Sequence, residues 1–331
     1  MSTPASASAP ATPSHPCAPL RGRPLRHADL NEARGLLPGW WRMDPELHGR
    51  LPLLWTRLLG QSGFTGNVIE DLSQPAGQRL MALGVSVALD ADWAARLRTE
   101  PPGHAGATWY RDFLDGRTAP LDDRALAQAN TAGAVSMLVL HYGQRLIDPQ
   151  HPMAEQLLLT GMQQFRQAHG GYRLADVWQE AMGRGGDYLQ AMGYQRRTTR
   201  EAGQPDLFGL SRGEAMRQLP GTPVRDVFQF VPPVMAFSGA ERRMLRLALA
   251  DLSDEDVAQE LGVTPHTIKK LWRGVYDRAT SALPELFASP DGGTEGGAAG
   301  AVAGEGTRGP EKRRHLLHYV RQHLEELRPC A

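Results

Sequence analysis

Three helix signals follow one another between residues 238 and 279, and they constrain the fold of this 331-residue chain more than any other feature. Ser238 and Glu241 form a capping box, in which a hydroxyl and a carboxylate satisfy free backbone N–H groups. Ser253 is the next N-cap, and the acidic residues after it suit the helix dipole. Gly262 can end that helix in the left-handed conformation, and a Thr-Pro pair begins a third. This order predicts a small unit of three helices.

The third helix has two opposite faces. At about 100° per residue, one side gathers four apolar side chains, namely Ile268, Leu271, Trp272 and Val275. The other side gathers four basic ones, namely His266, Lys269, Lys270 and Arg273. A short helix, a glycine turn and a helix with an apolar back and a basic front are the layout of a helix-turn-helix. Its second helix enters the DNA major groove.

Residues 237–279, FSGAERRMLRLALADLSDEDVAQELGVTPHTIKKLWRGVYDRA, resemble the helix-turn-helix of LuxR-type bacterial transcription regulators and the related promoter-binding segment of sigma factors. The resemblance implies that residues 267, 269, 270 and 273 face DNA. Arg273 suits a base edge and Lys269 the phosphate backbone. Hydroxyls near the helix N-terminus can also bond phosphate. The predicted DNA-binding residues are therefore Thr264, His266, Thr267, Lys269, Lys270 and Arg273.

The amino-terminal half mixes strand and helix patterns. Residues 66–90 are typical of two strands joined by a turn, and residues 134–143 form an apolar run of strand length. PMAEQLLLTGMQQFRQAHGGY predicts a helix, RLADVWQEAMG a strand and GDYLQAMGYQ a short helix. This order resembles the acetyltransferase (GNAT) fold, so we expect an α/β or α+β domain here.

The resemblance also implies a way of binding a cofactor, and the sequence departs from it. The family cradles the pyrophosphate of its cofactor on the N–H groups of a glycine-rich loop at a helix N-terminus. The corresponding stretch here, RLIDPQHPMAEQ, has no glycine, and Pro149 and Pro152 lack N–H donors. We therefore predict that the domain is catalytically silent, that the chain is not an enzyme, and that it has no cofactor.

Other polar residues give weaker signals. Glu70 and Asp71 could act as acid or base, but a solvated strand end is the favoured interpretation. His141 is expected to be a hydrogen-bonded core histidine, and His151 and His169 have no metal-ligand spacing with it, so no metal site is predicted. The tryptophans could line an apolar ligand pocket, although aromatic residues usually pack in the core.

The chain ends in an amphipathic segment. An apolar arc runs through Leu316, Leu317, Val320, Leu324 and Leu327. It must dock on a surface, because an isolated helix of this length is marginal in water. Its own domain or a second subunit could supply that surface, and we favour a dimer contact. The predicted organisation is a disordered tail at 1–26, an α/β sensor or interaction domain at 27–200, a connector at 201–235, an all-α helix-turn-helix domain at 236–288, a flexible glycine-rich linker at 289–310 and a C-terminal amphipathic helix at 311–331.

The formal net charge is +0, so the chain as a whole does not attract nucleic acid, and a local patch must hold any such partner. The sequence has neither an apolar run of membrane length nor the apolar segment of a signal peptide. We expect a cytoplasmic, homodimeric, sequence-specific transcription regulator of bacteria, with double-stranded DNA as its partner. RNA polymerase and a small-molecule effector are further candidate partners. An acyltransferase targeted by a DNA-binding domain and a sigma-factor-like promoter-binding protein remain as alternatives.

Overall fold

The structure, a computed structural model, describes residues 20–41, 44–146, 148, 150–287 and 309–331. Its amino-terminal part is built on one mixed sheet of seven strands in the order β1-β2-β3-β4-β5-β7-β6. The pair β4–β5 is parallel, and the other neighbours are antiparallel. The strands are β1 (Leu20–Pro24), β2 (Phe64–Asp71), β3 (Leu80–Ala88), β4 (Val135–Gln144), β5 (Leu174–Ala181), β6 (Gln195–Arg196) and β7 (Asp206–Ser211).

Helices cover both faces of this sheet. The central strands β3 and β4 are almost continuous apolar runs that are buried throughout most of their length, as two covered faces require. Trp55 of α2 and Trp109 of α4 pack in the core on one face, and α6 lies across β1, β2 and β3 on the other. The helices of this part are α1 (Leu30–Arg34), α2 (Pro45–Leu58), α3 (Ala91–Thr99), α4 (Ala105–Leu114), α5 (Asp123–Ala132), α6 (Ala154–His169), α7 (Arg184–Ala191), α8 (Arg212–Met216) and α9 (Pro223–Val227).

The predicted order of elements is confirmed in this part. The patterns at 66–90 and 134–143 form β2, β3 and β4, and α6, β5 and α7 follow as expected. Helix α6 joins the parallel pair β4–β5 within this mixed α/β sheet, in the order that the acetyltransferase resemblance predicted.

Two predicted boundaries need correction, because each excludes a strand of the sheet. β1 lies inside the segment predicted as the 1–26 tail, where it pairs with β2 along its whole length. β7 lies inside the predicted connector at 201–235, where it pairs with β5 and buries three apolar side chains. Residues 1–19 of the predicted tail and residues 289–308 of the predicted linker lie outside the described residues.

The carboxyl-terminal part is helical. Ser238 and Glu241 form the capping box, and Gly262 ends its helix with a φ of 64°. Thr264 caps the next helix by accepting a hydrogen bond from the backbone N–H of Thr267. The elements are α10 (Gly239–Ala248), α11 (Asp254–Leu261), α12 (Pro265–Ala282), a 3-10 turn (Pro284–Phe287), α13 (Gly309–Gln322) and a second 3-10 turn (Leu324–Leu327).

The C-terminal amphipathic segment docks on its own chain. All five residues of its apolar arc are buried in one core with side chains of α10, α11 and α12. This arc therefore does not supply the dimer contact that we favoured from the sequence, and the homodimer stays a prediction. Within the described residues, no helix combines the length and the apolar character that a membrane span needs.

Candidate functional site

The two faces of α12 differ in burial. Ile268, Trp272 and Val275 are buried in the helical core. The predicted DNA-binding residues occupy the opposite side, where Lys269 and Arg273 are exposed. His266, Lys270 and Thr264 are also exposed, and Thr267 is half-buried. The structure thus places all six predicted residues on one accessible side of the helix or at its N-terminus.

The rotation of α12 is fixed by contacts around Trp272. The indole Nε1 donates to the Asp254 carboxylate at 3.1 Å, and the Arg313 guanidinium lies 4.4 Å from the ring centroid. Arg313 also pairs with Asp254 at 2.9 Å. Gly274, an unfavourable residue inside a helix, has a local reason, because a Cβ there would lie 2.5 Å from Oε1 of Glu241. These contacts turn the basic side of α12 outward.

Three of the four lysine and arginine side chains of α12 have no ion-pair partner within the part of the chain that the structure describes, and the fourth, Arg278, pairs with Glu241. None of Lys269, Lys270 and Arg273 forms an ion pair there. Lys269 and Arg273 border a groove between α12 and the start of α13. The charged lining of this groove also includes Arg313, Asp254 and Asp277.

A second candidate site lies where β4 and β5 separate. The ladder between these strands ends at Val139↔Gln179, although both strands continue. The start of α4 fills the resulting wedge, and a Cβ at Gly106 would lie 2.2 Å from the carbonyl oxygen of Leu140. Only glycine permits this close approach of helix and strand.

Glu180 of β5 points into this wedge. Its side chain is buried, Oε2 accepts a hydrogen bond from the backbone N–H of Gly106 at 3.3 Å, and Oε1 has no hydrogen-bond partner. Burial raises the pKa of Glu180 to about 7, although backbone N–H groups at the start of α4 oppose this shift. A carboxyl group with a pKa near neutrality can accept or donate a proton under physiological conditions.

An aromatic cluster adjoins the wedge. The His141 ring lies 5.2 Å from that of Trp41, 5.7 Å from that of Trp55 and 6.4 Å from that of Tyr110. Trp55 Nε1 donates to the Tyr110 hydroxyl at 2.8 Å, and that hydroxyl lies 3.5 Å from Nε2 of His141. Burial lowers the pKa of His141 to about 3, so the ring is neutral. The tryptophans thus form core, and His141 lies among them as a buried polar group.

The prediction of a solvated strand end at Glu70 and Asp71 is wrong. Both carboxylates are buried, and Glu70 forms ion pairs with Arg21 at 2.5 Å and Arg23 at 3.0 Å. The reason is β1, which lies beside β2 and brings two arginines to this carboxylate. Glu70 therefore serves to hold the edge strand.

Sequence reasoning missed a buried Ser–His pair on the other face of the sheet. Nε2 of His169 lies 2.9 Å from the Ser86 hydroxyl, and Nδ1 lies 2.8 Å from the carbonyl oxygen of Phe165. Both side chains border a cavity of about 70 Å³ beneath α6. No group of histidine, cysteine and carboxylate side chains among the described residues could hold a metal ion.

The N-terminus of α6 does not fit the phosphate-binding role that the acetyltransferase resemblance implies. The N–H of Met153 donates to Nδ1 of His151 at 3.2 Å, and that of Ala154 donates to the carbonyl oxygen of His151 at 2.8 Å. Pro152 has no N–H group. Residues 152–154 therefore offer no free N–H group to a phosphate.

Neither a family model nor a curated protein matches the sequence. Solved structures with a similar fold include a spermidine N-acetyltransferase chimera of the Vibrio cholerae and hSSAT proteins, which is 10% identical, with 60% of this chain and 99% of that chain covered at a TM-score of 0.34. Another is FeeM, an N-acyl amino acid synthase from uncultured soil microbes, which is 9% identical, with 61% of this chain and 95% of that chain covered at a TM-score of 0.36.

The names of these structures contradict our prediction that the chain is not an enzyme and that its α/β domain is catalytically silent, and we withdraw it. The free N–H groups at one helix N-terminus do not decide the activity of a whole domain. The likeness is too small for a substrate, a cofactor or a residue role to pass from those proteins to this chain.

Proposed function

We propose that this chain is a bacterial transcription regulator that binds duplex DNA through α12. The observation that carries the proposal is the exposure of Lys269, Lys270 and Arg273 on the side of α12 that faces away from its core. Unpaired cations on one face of a helix suit the phosphates and base edges of the major groove. His266 extends the same face toward the N-terminus of the helix.

Each side chain has a separate role in the proposed complex. The planar fork of Arg273 matches the two acceptors of guanine, so it reads a base edge. Lys269 carries a compact charge that suits phosphate, and Lys270 can contact either a phosphate or a base edge. Thr264 and Thr267 lie at the helix N-terminus, where the helix dipole favours phosphate and hydroxyls can donate to it.

The test measures binding of the full chain to genomic DNA fragments at a series of salt concentrations. Fluorescence anisotropy of the labelled DNA reports the binding. Lys269→Ala should weaken binding to all sequences equally and reduce the salt slope by about one unit, because one phosphate contact is lost. Arg184→Ala removes an exposed arginine of α7, far along the chain from α12, and serves as the matched control. An unchanged slope for Lys269→Ala together with a reduced slope for Arg184→Ala would place the DNA on another surface.

A second candidate function, acyl transfer by the α/β part, is favoured by the geometry of Glu180. In this proposal the unpartnered Oε1 takes the proton of an attacking amine while the amine forms its bond to the acyl carbon of a thioester. The carbon–sulfur bond of that thioester breaks and its sulfur leaves as a thiolate. The burial of Glu180 keeps its carboxyl group away from bulk water. The activity would then be targeted to DNA by α12.

Acyl transfer from a panel of thioesters to small amines tests this second function. Glu180→Gln should lower the rate by about 10²–10⁴-fold, because amide nitrogen and oxygen cannot accept the proton. Thioester turnover that is equal in wild type and Glu180→Gln would remove Glu180 from the reaction. Failure of this assay leaves the DNA-binding proposal to its own test, since the two use different residues.

A further inference from the structure

A cleft of about 900 Å³ lies between the edge of the sheet and the helical part of the chain. β1 and β2 form one wall, and α10, the end of α11 and the C-terminal segment form the other. Ligand sites commonly have a volume of roughly 300–1,000 Å³. The basic residues that line the cleft are Arg23, His27, Arg243, Arg246, Arg321 and Arg328. Glu260 is the acidic residue in the same lining.

Arg328 is a buried cation without a counter-charge. Its side chain lies over the Tyr172 ring, with Cζ 4.5 Å from the centroid. Its guanidinium donates to the carbonyl oxygens of Gly170 and Gln167 and forms no ion pair with any described carboxylate. Burial and the nearby charge of Arg246 lower the pKa of Arg328 to about 10, so it still carries its proton at neutral pH. Buried charges are normally paired, which makes this one exceptional.

Arg246 adds a second charge of the same kind. Its Nη2 donates to the carbonyl oxygen of Leu327 at 3.1 Å, and its buried Nε has no hydrogen-bond partner. It forms no ion pair within the described part of the chain. The remaining basic groups of the cleft have acidic neighbours. The ion pairs are Arg23 with Asp29 and Glu70, Arg321 with Asp251, and His27 with Glu260. Arg243 lies near Asp123.

We propose that this cleft binds an amphiphilic organic anion, whose carboxylate or phosphate group is held by Arg246 and Arg328. Guanidinium groups are suited to such oxyanions, and Nε of Arg246 has no partner within the described residues. The apolar body of the ligand would contact the apolar lining, which includes Leu25, Phe64, Leu247, Leu261 and Leu324. A neutral or cationic ligand would leave Arg246 and Arg328 without a counter-charge.

The proposed site lies at the contact between the helical part and the sheet, so a bound ligand should affect how strongly these two parts hold together. Arg246 belongs to α10 of the helical part, whereas Arg328 is anchored on Gly170 and Gln167 beside the sheet. A bound anion would relieve repulsion between Arg246 and Arg328, whose guanidinium reaches from the C-terminal segment to the sheet side of the contact. It should therefore raise the stability of the contact between the two parts of the chain.

Calorimetric titration of the full chain with octanoate, octyl phosphate and octan-1-ol tests the proposal. Either anion should bind at least about tenfold more tightly than the neutral alcohol, since each charge-assisted hydrogen bond is strong. Whichever anion binds more tightly identifies the head group. Equal binding of all three compounds would show an unselective apolar cleft, and no binding of either anion would also overturn the proposal.

Variants then locate the site. Arg246→Gln should weaken binding of the preferred anion by about tenfold, while Arg246→Lys should retain part of the affinity because it retains the charge. Arg184→Gln, on exposed α7 and outside the cleft, is the matched control. Unchanged affinity in Arg246→Gln would exclude this cleft. The titrations of the wild-type chain decide the proposal even if a variant fails to fold.

Discussion

Replacing Glu180 with glutamine should change how the stability of the chain depends on pH. Burial raises the pKa of Glu180 from its ordinary value of 4.5 to about 7. The folded chain therefore holds this proton more tightly than the unfolded chain does. The resulting stabilisation is fully present below pH 4.5 and is lost as the pH rises through 7. The difference between the two pKa values corresponds to about 3 kcal/mol of unfolding free energy.

Glutamine has no charge to gain, so Glu180→Gln should lack this loss. Between about pH 4.5 and about pH 8, the wild type should lose about 3 kcal/mol more unfolding free energy than the variant. Urea denaturation followed by far-UV circular dichroism measures both profiles. Glu201→Gln, at an exposed position, controls for removal of a carboxylate. Parallel profiles for wild type and Glu180→Gln would refute the argument that this carboxyl group is buried without adequate partners.

Three further changes test the packing. Trp272→Ala should lower the free energy of unfolding by about 3–5 kcal/mol, because the ring is buried in the helical core; Trp272→Phe, which keeps a ring, should lose clearly less in the same denaturation assay. Arg23→Met should cost about 3–5 kcal/mol, because the buried Asp29 loses its ion pair and the buried Glu70 keeps only Arg21; an unchanged melting temperature would contradict this. Deleting residues 311–331 uncovers the apolar core of the helical part and should lower the melting temperature, whereas equal thermal stability would show that the segment does not pack there.

The helical part could be predicted in detail, because its signals are local. A capping box joins Ser238 to a residue three positions away, and Gly262 needs only its own backbone conformation. The apolar arc of α13 likewise follows from helical periodicity alone. Which surface covers that arc is a long-range property, and so the sequence could not decide between the same chain and a second subunit.

The candidate sites of the α/β part were hidden for the same physical reason. Glu70 ends a strand and looks solvated, but its partners Arg21 and Arg23 lie far away along the chain and reach it through strand pairing. Glu180 follows Gln179 near the end of β5, and this polar pair gives no sign of burial in the sequence. Only the start of α4 in the wedge at Gly106 buries it and raises its pKa.

The most direct test of the proposed function is DNA binding by the full chain in which Lys269, Lys270 and Arg273 are all changed to alanine. These side chains are exposed and lie outside the core, so the variant should fold, and circular dichroism can check this. Anisotropy titrations with the genomic fragments that the wild type binds should show a loss of at least about 10³-fold, with a salt slope lower by about two to three units. If the folded variant binds these fragments with wild-type affinity and salt slope, α12 is not the DNA-binding helix.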